Sequence, residues 1–194
     1  RTDGVVRRSG DTCWLEDLEF IGEETLRLSV LLGLGRKEAL KVKSFKIDYH
    51  GKDIKGLVFG KDYLYSNFDT CTWMICSIEP SNQGNFIFTL KVPKNYKSVA
   101  SRSPSSTYLF GFAAGAFNEI VSGKLRFIGV DSSDKIAEKF KDTEKMLQFL
   151  EDKAGVKYPY PDYTQVLVNG SEAQENNAFS IIGKDELDPI IETP

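Results

Sequence analysis

Histidine is nearly absent: the 194 residues contain one, His50. A zinc site of the His-His-carboxylate or Cys2His2 kind needs at least two, so this chain does not complete one by itself. Cysteine is scarce and unpatterned. Cys13, Cys71 and Cys76 are odd in number and include no Cys-x-x-Cys, which excludes both a disulfide framework and a zinc ribbon. In one continuous strand, residues 71 and 76 would point to opposite faces, so the thiols are expected to be free and buried. No apolar run approaches the ~20 residues of a membrane span. The longest, Tyr108 to Phe117, is interrupted by Gly111 and Gly115. A formal charge of −3 with no Lys/Arg cluster leaves no electrostatic footprint for nucleic acid. An initiator methionine and a signal-peptide pattern are lacking as well, so the chain reads as an excised or processed piece.

What is present suits one domain, or one and a half: 41% apolar residues are enough for a core at this length. The first two-thirds reads as β-structure. Leu26-Leu28-Val30-Leu32 alternates with Arg27-Ser29-Leu31, and Leu40 to Tyr49 alternates with a slip of phase near Lys43-Ser44, the mark of a bulge. Phe86-Phe88-Leu90-Val92 against Ile87-Thr89-Lys91 is the cleanest strand pattern and stops at Pro93, which has no N–H for a ladder. Thr107 to Ala113 and Leu125 to Val130 follow. Short strands separated by turn-rich segments such as 101–106 predict an antiparallel, sandwich-like domain over residues 1–131.

At Asp131 the character changes. Ile136, Phe140, Leu147, Leu150 and Ala154 share one helical face, with charged residues opposite. Ser132 or Ser133 suits the N-cap and Gly155 the C-terminal cap, so one helix of roughly 20 residues is predicted. Beyond the prolines of Tyr158-Pro-Tyr-Pro161 come a short strand, Thr164 to Val168, the Asn169-Gly170 turn signal, and a second strand, Ala178 to Ile182. Residues 132–194 therefore read as the opening of an α/β domain, cut short.

Candidate chemistry is sparse. Gly33-Leu-Gly35 lacks the third glycine of a dinucleotide loop and reads as a turn. His50, beside Gly51 at the end of an alternating run, reads as an exposed turn residue. Trp14 and Trp73 read as core or half-buried strand residues. Asn169-Gly170-Ser171 matches a glycosylation sequon, which matters only in a eukaryotic secretory protein. The polar stretch Glu172-Ala173-Gln174-Glu175-Asn176-Asn177 has two readings: a solvated hairpin loop, or an exposed edge strand presenting a carboxylate to a ligand.

Three segments, in order, resemble the aminopeptidase N family of zinc metallopeptidases, which includes leukotriene-hydrolysing members. Cys76-Ser-Ile-Glu79-Pro80 followed by Phe86-Ile-Phe-Thr-Leu-Lys-Val-Pro93 resembles the family's Phe-Pro-Cys-Phe-Asp-Glu-Pro and Phe-Thr-Leu-x-x-x-x-Pro. Ser106 to Phe117 is similar to Tyr-Leu-x-Ala-Phe-x-x-Gly-Asp-Phe. Leu150 to Pro161, then Gln165 to Val168, then Ala173-Gln-Glu175-Asn176 follow the order of a helix, Gly-x-x-Tyr-Pro-x-Pro, a strand and Gly-Ala-Met-Glu-Asn. Together these cover about residues 70 to 182. The departures are specific. Glu172-Ala173-Gln174 stands for Gly-Ala-Met, Ile78 replaces an Asp, and Leu64 falls near a substrate-contacting Gln of many members.

The resemblance implies a saddle-like β-domain followed by the start of a thermolysin-like catalytic domain. It implies zinc in the full-length parent, whose His-Glu-x-x-His helix lies beyond this motif, with none of its ligands here. It also implies peptide substrates held by a free N-terminus, Glu175 accepting from the α-ammonium group, and Ala173, Gln174 and Asn176 beside the substrate backbone. The remainder of the catalytic domain is then the partner. The alternative is a non-catalytic relative serving as an interaction module.

Overall fold

The computed structural model describes the backbone of three strands before residue 53. It describes residues 55–187 with side chains, except Ile75, Ser77, Asn82 and Phe86. Three early strands, β1 (Val5–Ser9), β2 (Thr12–Ile21) and β3 (Ser44–Lys52), form one sheet in that order. β1 and β2 are antiparallel, and β2 and β3 are parallel with a register shift between Leu15 and Leu18. The alternation over 40–49 thus corresponds to β3, and the bulge falls in its partner β2. His50 lies inside β3 opposite Glu19 and not in a turn, because pairing with β2 continues past it through Gly51 and Lys52. The predicted strand at 26–32, the Gly33–Gly35 turn and residues 40–43 lie outside the described residues.

A second sheet has the order β4 (Leu57–Phe59), β5 (Tyr63–Ser66), β9 (Phe112–Gly115), β7 (Lys97–Ala100), all antiparallel. A two-stranded ribbon joins β6 (Gln83–Gly84) to β8 (Ser105–Ser106). The third sheet has five strands: β10 (Asn118–Ser122), β11 (Leu125–Gly129), β12 (Tyr163–Val168), β14 (Phe179–Gly183) and β13 (Ala173–Asn176), in that spatial order. β11–β12 and β12–β14 are parallel and the outer pairs antiparallel. This sheet draws strands from both sides of residue 131. The described residues are mostly antiparallel β-structure with few helices: α1 (Ser133–Lys139), α2 (Thr143–Ala154) and the short α3 (Lys184–Leu187). Among the described residues no helix is long and apolar enough to cross a membrane.

Two cores follow from strand alternation. Ile128, Val166, Val168, Phe179 and Ile181 meet Tyr65, Ala113 and Phe117 between the four- and five-stranded sheets. On the other face, Leu125, Phe127 and Leu167 meet Ile136 and Phe140 of the helical segment. Neighbouring residues of one strand, Val166 and Leu167, therefore serve different cores.

The structure departs from several sequence expectations. The single long helix is two, broken at Phe140–Asp142. Phe140 turns in to stack on Phe127 with ring centroids 5.4 Å apart, while the Thr143 hydroxyl donates to Gln165 Oε1 at 2.6 Å. Leu150 of the expected apolar face is exposed. Residues 87–92 form no strand, although their exposure alternates as read. Phe88 faces the rings of Phe110 and Phe112, and Ile87 is 97% exposed. The strand expected over 107–113 becomes a 3-10 turn, Thr107–Leu109, and then β9. Ser101 captures Gly111 in between, accepting its N–H at its own hydroxyl and donating its N–H to the Gly111 carbonyl. Cys71 and Cys76 are joined in a disulfide. They lie on a 3-10 turn, Thr70–Thr72, and its exit rather than in one strand. Their Cα atoms come within 5.2 Å, and the opposite-face argument does not apply.

Candidate functional site

The stretch 172–177 resolves into β13 and the turn that follows. β13 pairs only with β14 and closes the five-stranded sheet, so its outer margin carries no strand among the described residues. Its register sets Gln174 opposite Ile181 and Asn176 opposite Phe179, both members of the core between the sheets. Gln174 and Asn176 therefore point inward, and Ala173 and Glu175 point to the other face, where both are exposed. The Glu175 side chain makes no hydrogen bond or ion pair with a described residue. The four residues named from sequence are thus brought onto one edge strand, two on each side of it.

The inward pair is tightly housed. Gln174 is buried, and its Nε2 donates to Asn176 Oδ1 at 3.4 Å. The Gln174 Oε1 and Asn176 Nδ2 atoms are buried with no hydrogen-bond partner among the described residues. Gly111 is required here, because a Cβ at that position would collide with the Asn176 amide oxygen and crowd the Ser66 hydroxyl. Ser66 itself accepts from the Phe112 N–H at 2.8 Å, locking β5 to β9 beneath the edge strand.

Both ends of β13 are anchored. Before it, Gly183 N–H donates to the Glu172 carbonyl at 2.6 Å and Asp185 N–H to the Gly170 carbonyl at 3.1 Å. Gly183 has no room for a side chain because the Gly170 carbonyl lies against it. The Glu172 carboxylate lies near the Tyr65 hydroxyl. Burial first, and then that carboxylate, push the Tyr65 hydroxyl above its ordinary range, so it stays a donor. After β13, Asn177 and Ala178 turn the chain into β14. Ala178 has φ 71°, a left-handed conformation that costs a non-glycine residue roughly 1–2 kcal/mol. Asn177 Oδ1 accepts from Arg102 N–H at 2.9 Å, and its Nδ2 donates to the carbonyls of Arg102 at 2.5 Å and Pro104 at 3.3 Å. The Arg102 guanidinium in turn holds both Asp162 carboxylate oxygens, at 2.7 and 2.6 Å. Sequence reading took Asn177 only as the end of the polar stretch and gave Arg102 no role of its own. The available signals were the run Asn176-Asn177-Ala178 for the one and the turn-rich segment 101–106 for the other.

Away from the edge, Glu151 at the end of α2 accepts from Tyr158 N–H, Lys157 and Lys124, each at 2.9 Å. These bonds bring its carboxyl down to about 2, the Tyr158 N–H contributing most. This cluster pins the helix to the β10–β11 turn. An apolar hollow of about 460 Å³ lies beside it, floored by Leu147, Tyr163 and Gln165. Leu64, at the position of the expected substrate-contacting Gln, is a β5 residue opposite Ala114.

No group of three His, Cys, Asp or Glu side chains close enough to hold a metal ion occurs among the described residues. A resident zinc does not fit the described side chains.

No protein-family model matches this sequence, and no curated protein matches it. Among solved structures, native yeast LTA4 hydrolase is similar: TM-score 0.55 and 15% identity over 71% of this chain. That is a likeness of fold. The chain spans 27% of the length of the yeast protein.

Proposed function

We propose that this chain is the amino-terminal part of a zinc aminopeptidase, carrying the clamp for the substrate's free amino group while its metal site is built by other polypeptide. The observation that carries the reading is Glu175: an exposed carboxylate with no partner among the described residues, on a sheet margin that none of them pairs with. A peptide lying along β13 would add a strand through its main chain and set its terminal ammonium at that carboxylate. Three motif segments in family order, and a fold like that of an LTA4 hydrolase, support the same assignment. The break in character at 131 is, on this reading, where the saddle-like domain (1–131) hands over to the catalytic one (132–194), the five-stranded sheet bridging the two.

A charge-assisted hydrogen bond to an ammonium is worth roughly 1.5–3 kcal/mol. A peptide bond in mid-chain brings no such charge, so the clamp favours chain ends. The test is a titration of the 194-residue chain with trialanine amide and with its N-acetylated form. Wild type is expected to prefer the free amine roughly tenfold or more, and Glu175→Gln to lose that preference. In the full-length parent, Glu175→Ala is expected to lower kcat/KM roughly ten- to a hundredfold. Equal binding of the two peptides by wild type would remove Glu175 from the site.

One observation favours a second reading, a non-catalytic interaction module. Glu172 stands where the family motif has glycine, and its carboxylate lies near the buried Tyr65 hydroxyl, whose titration it raises. Retained peptide binding with no hydrolysis by the parent would select it.

A further inference from the structure

We infer that Asn177 is a positioning residue, and that through it the 101–104 loop, outside the five-stranded sheet, sets where the edge strand and its Glu175 lie. The need for an outside hold is visible in β13 itself. It has four residues and a ladder on one side only, and its inward amides leave Gln174 Oε1 and Asn176 Nδ2 unpaired among the described residues. Its turn passes through Ala178 in a left-handed conformation, which relaxes unless the surroundings fix it.

Asn177 supplies that fixing from a single amide. It engages both the N–H and the carbonyl of Arg102, as a neighbouring strand would, and reaches the Pro104 carbonyl as well. Hydrogen bonds to a donor and an acceptor of one residue hold the turn against sliding along the loop as well as against lifting from it. The loop is itself immobilised at two points. Ser101 is bonded to Gly111 at the entry of β9, and the Arg102 guanidinium grips Asp162 at the entry of β12. A rigid loop therefore dictates the turn, and the turn dictates the strand. The consequence for peptide recognition rests on the amine-clamp reading; the positioning itself does not.

Amide hydrogen exchange by NMR on the 194-residue chain tests this directly. In Asn177→Ala the amides of residues 173–176 and of Arg102 are expected to exchange about ten- to a hundredfold faster, while those of β11 and β12 keep their protection. Exchange at 173–176 within twofold of wild type overturns the inference. Should Asn177→Ala lose protection throughout, Arg102→Ala decides, since it frees the loop from Asp162 but keeps the main-chain bonds to Asn177. Three- to tenfold faster exchange at 173–176 is then expected, and none overturns the inference. With the two trialanine peptides, Asn177→Ala is expected to reduce the preference for the free amine at least threefold although Glu175 is intact. A wild type with no preference counts against the amine clamp alone and leaves the exchange result to decide the positioning.

Discussion

At the scale of single residues, two glutamates show opposite uses of the same side chain. Glu175 is exposed and has no partner among the described residues, whereas Glu151 is enclosed by two ammonium groups and a backbone N–H. Glu151 is a stability device with a definite pH signature. Its carboxyl lies near 2 in the folded chain against an ordinary value of 4.5, so between those limits the unfolded chain binds more protons. The stabilisation is fully present above the ordinary value and is lost as pH falls toward about 2. Glu119, lowered by Lys97 and then Arg126, adds in the same direction. Glu151→Gln is expected to lower the Tm at pH 7 and to lose less stability than wild type on acidification. Thermal unfolding at pH 7, 4 and 3 checks this. A Tm gap between the two proteins that stays constant down to pH 3 would show that the carboxylate is not held ionised by these partners.

At the scale of elements, what sequence could reveal depended on whether the deciding contact was local. The helical period over 133–154 and the strands at 125–129, 163–168 and 179–183 were legible because side-chain alternation or a 3.6-residue stripe marks them. The alternation at 87–92 was equally legible and still gives no strand, since a ladder needs a partner and pattern alone does not provide one. The Cys71–Cys76 pair was misread through an assumption of extended chain; a 3-10 turn leaves no apolar period to announce it. The strand β10 was missed because Asn118-Glu119-Ile120-Val121-Ser122 carries almost no buried side chain. For the candidate site, residues 172–177 were readable as polar and between strands, but the choice between loop and edge strand turned on distant residues. Gly111 makes room for Asn176, and Arg102 holds Asn177. The helix break is the sharpest case. Phe140 is 4% exposed and bridges helix and sheet, so Phe140→Ala is expected to cost ~3–5 kcal/mol in urea unfolding. A loss below ~1 kcal/mol would mean that this ring does not tie the helical segment to the sheet.

At the scale of the molecule, the five-stranded sheet is the shared wall of both cores. Along β12, Val166 and Val168 face the four-stranded sheet and Leu167 faces the helices; along β14, Ile181 and Ile182 divide in the same way. Neither core survives without this wall, and neither outer layer has another surface to pack on among the described residues. The β-rich layer and the helical layer should then unfold together, despite the change in sequence character at 131. Trp73, packed on Phe110 and Phe112, reports on the first, and the ellipticity of α1 and α2 on the second. In a Trp14→Phe background, fluorescence and far-ultraviolet circular dichroism followed through one urea titration are expected to give a single coincident transition. Val166→Ala and Leu167→Ala, each removing side-chain volume from one core only, should shift both signals equally. Separate midpoints, or a shift of one probe alone, would instead divide the chain near residue 131 into two independent folding units, and would make the placement of the edge strand by the 101–104 loop a contact between domains.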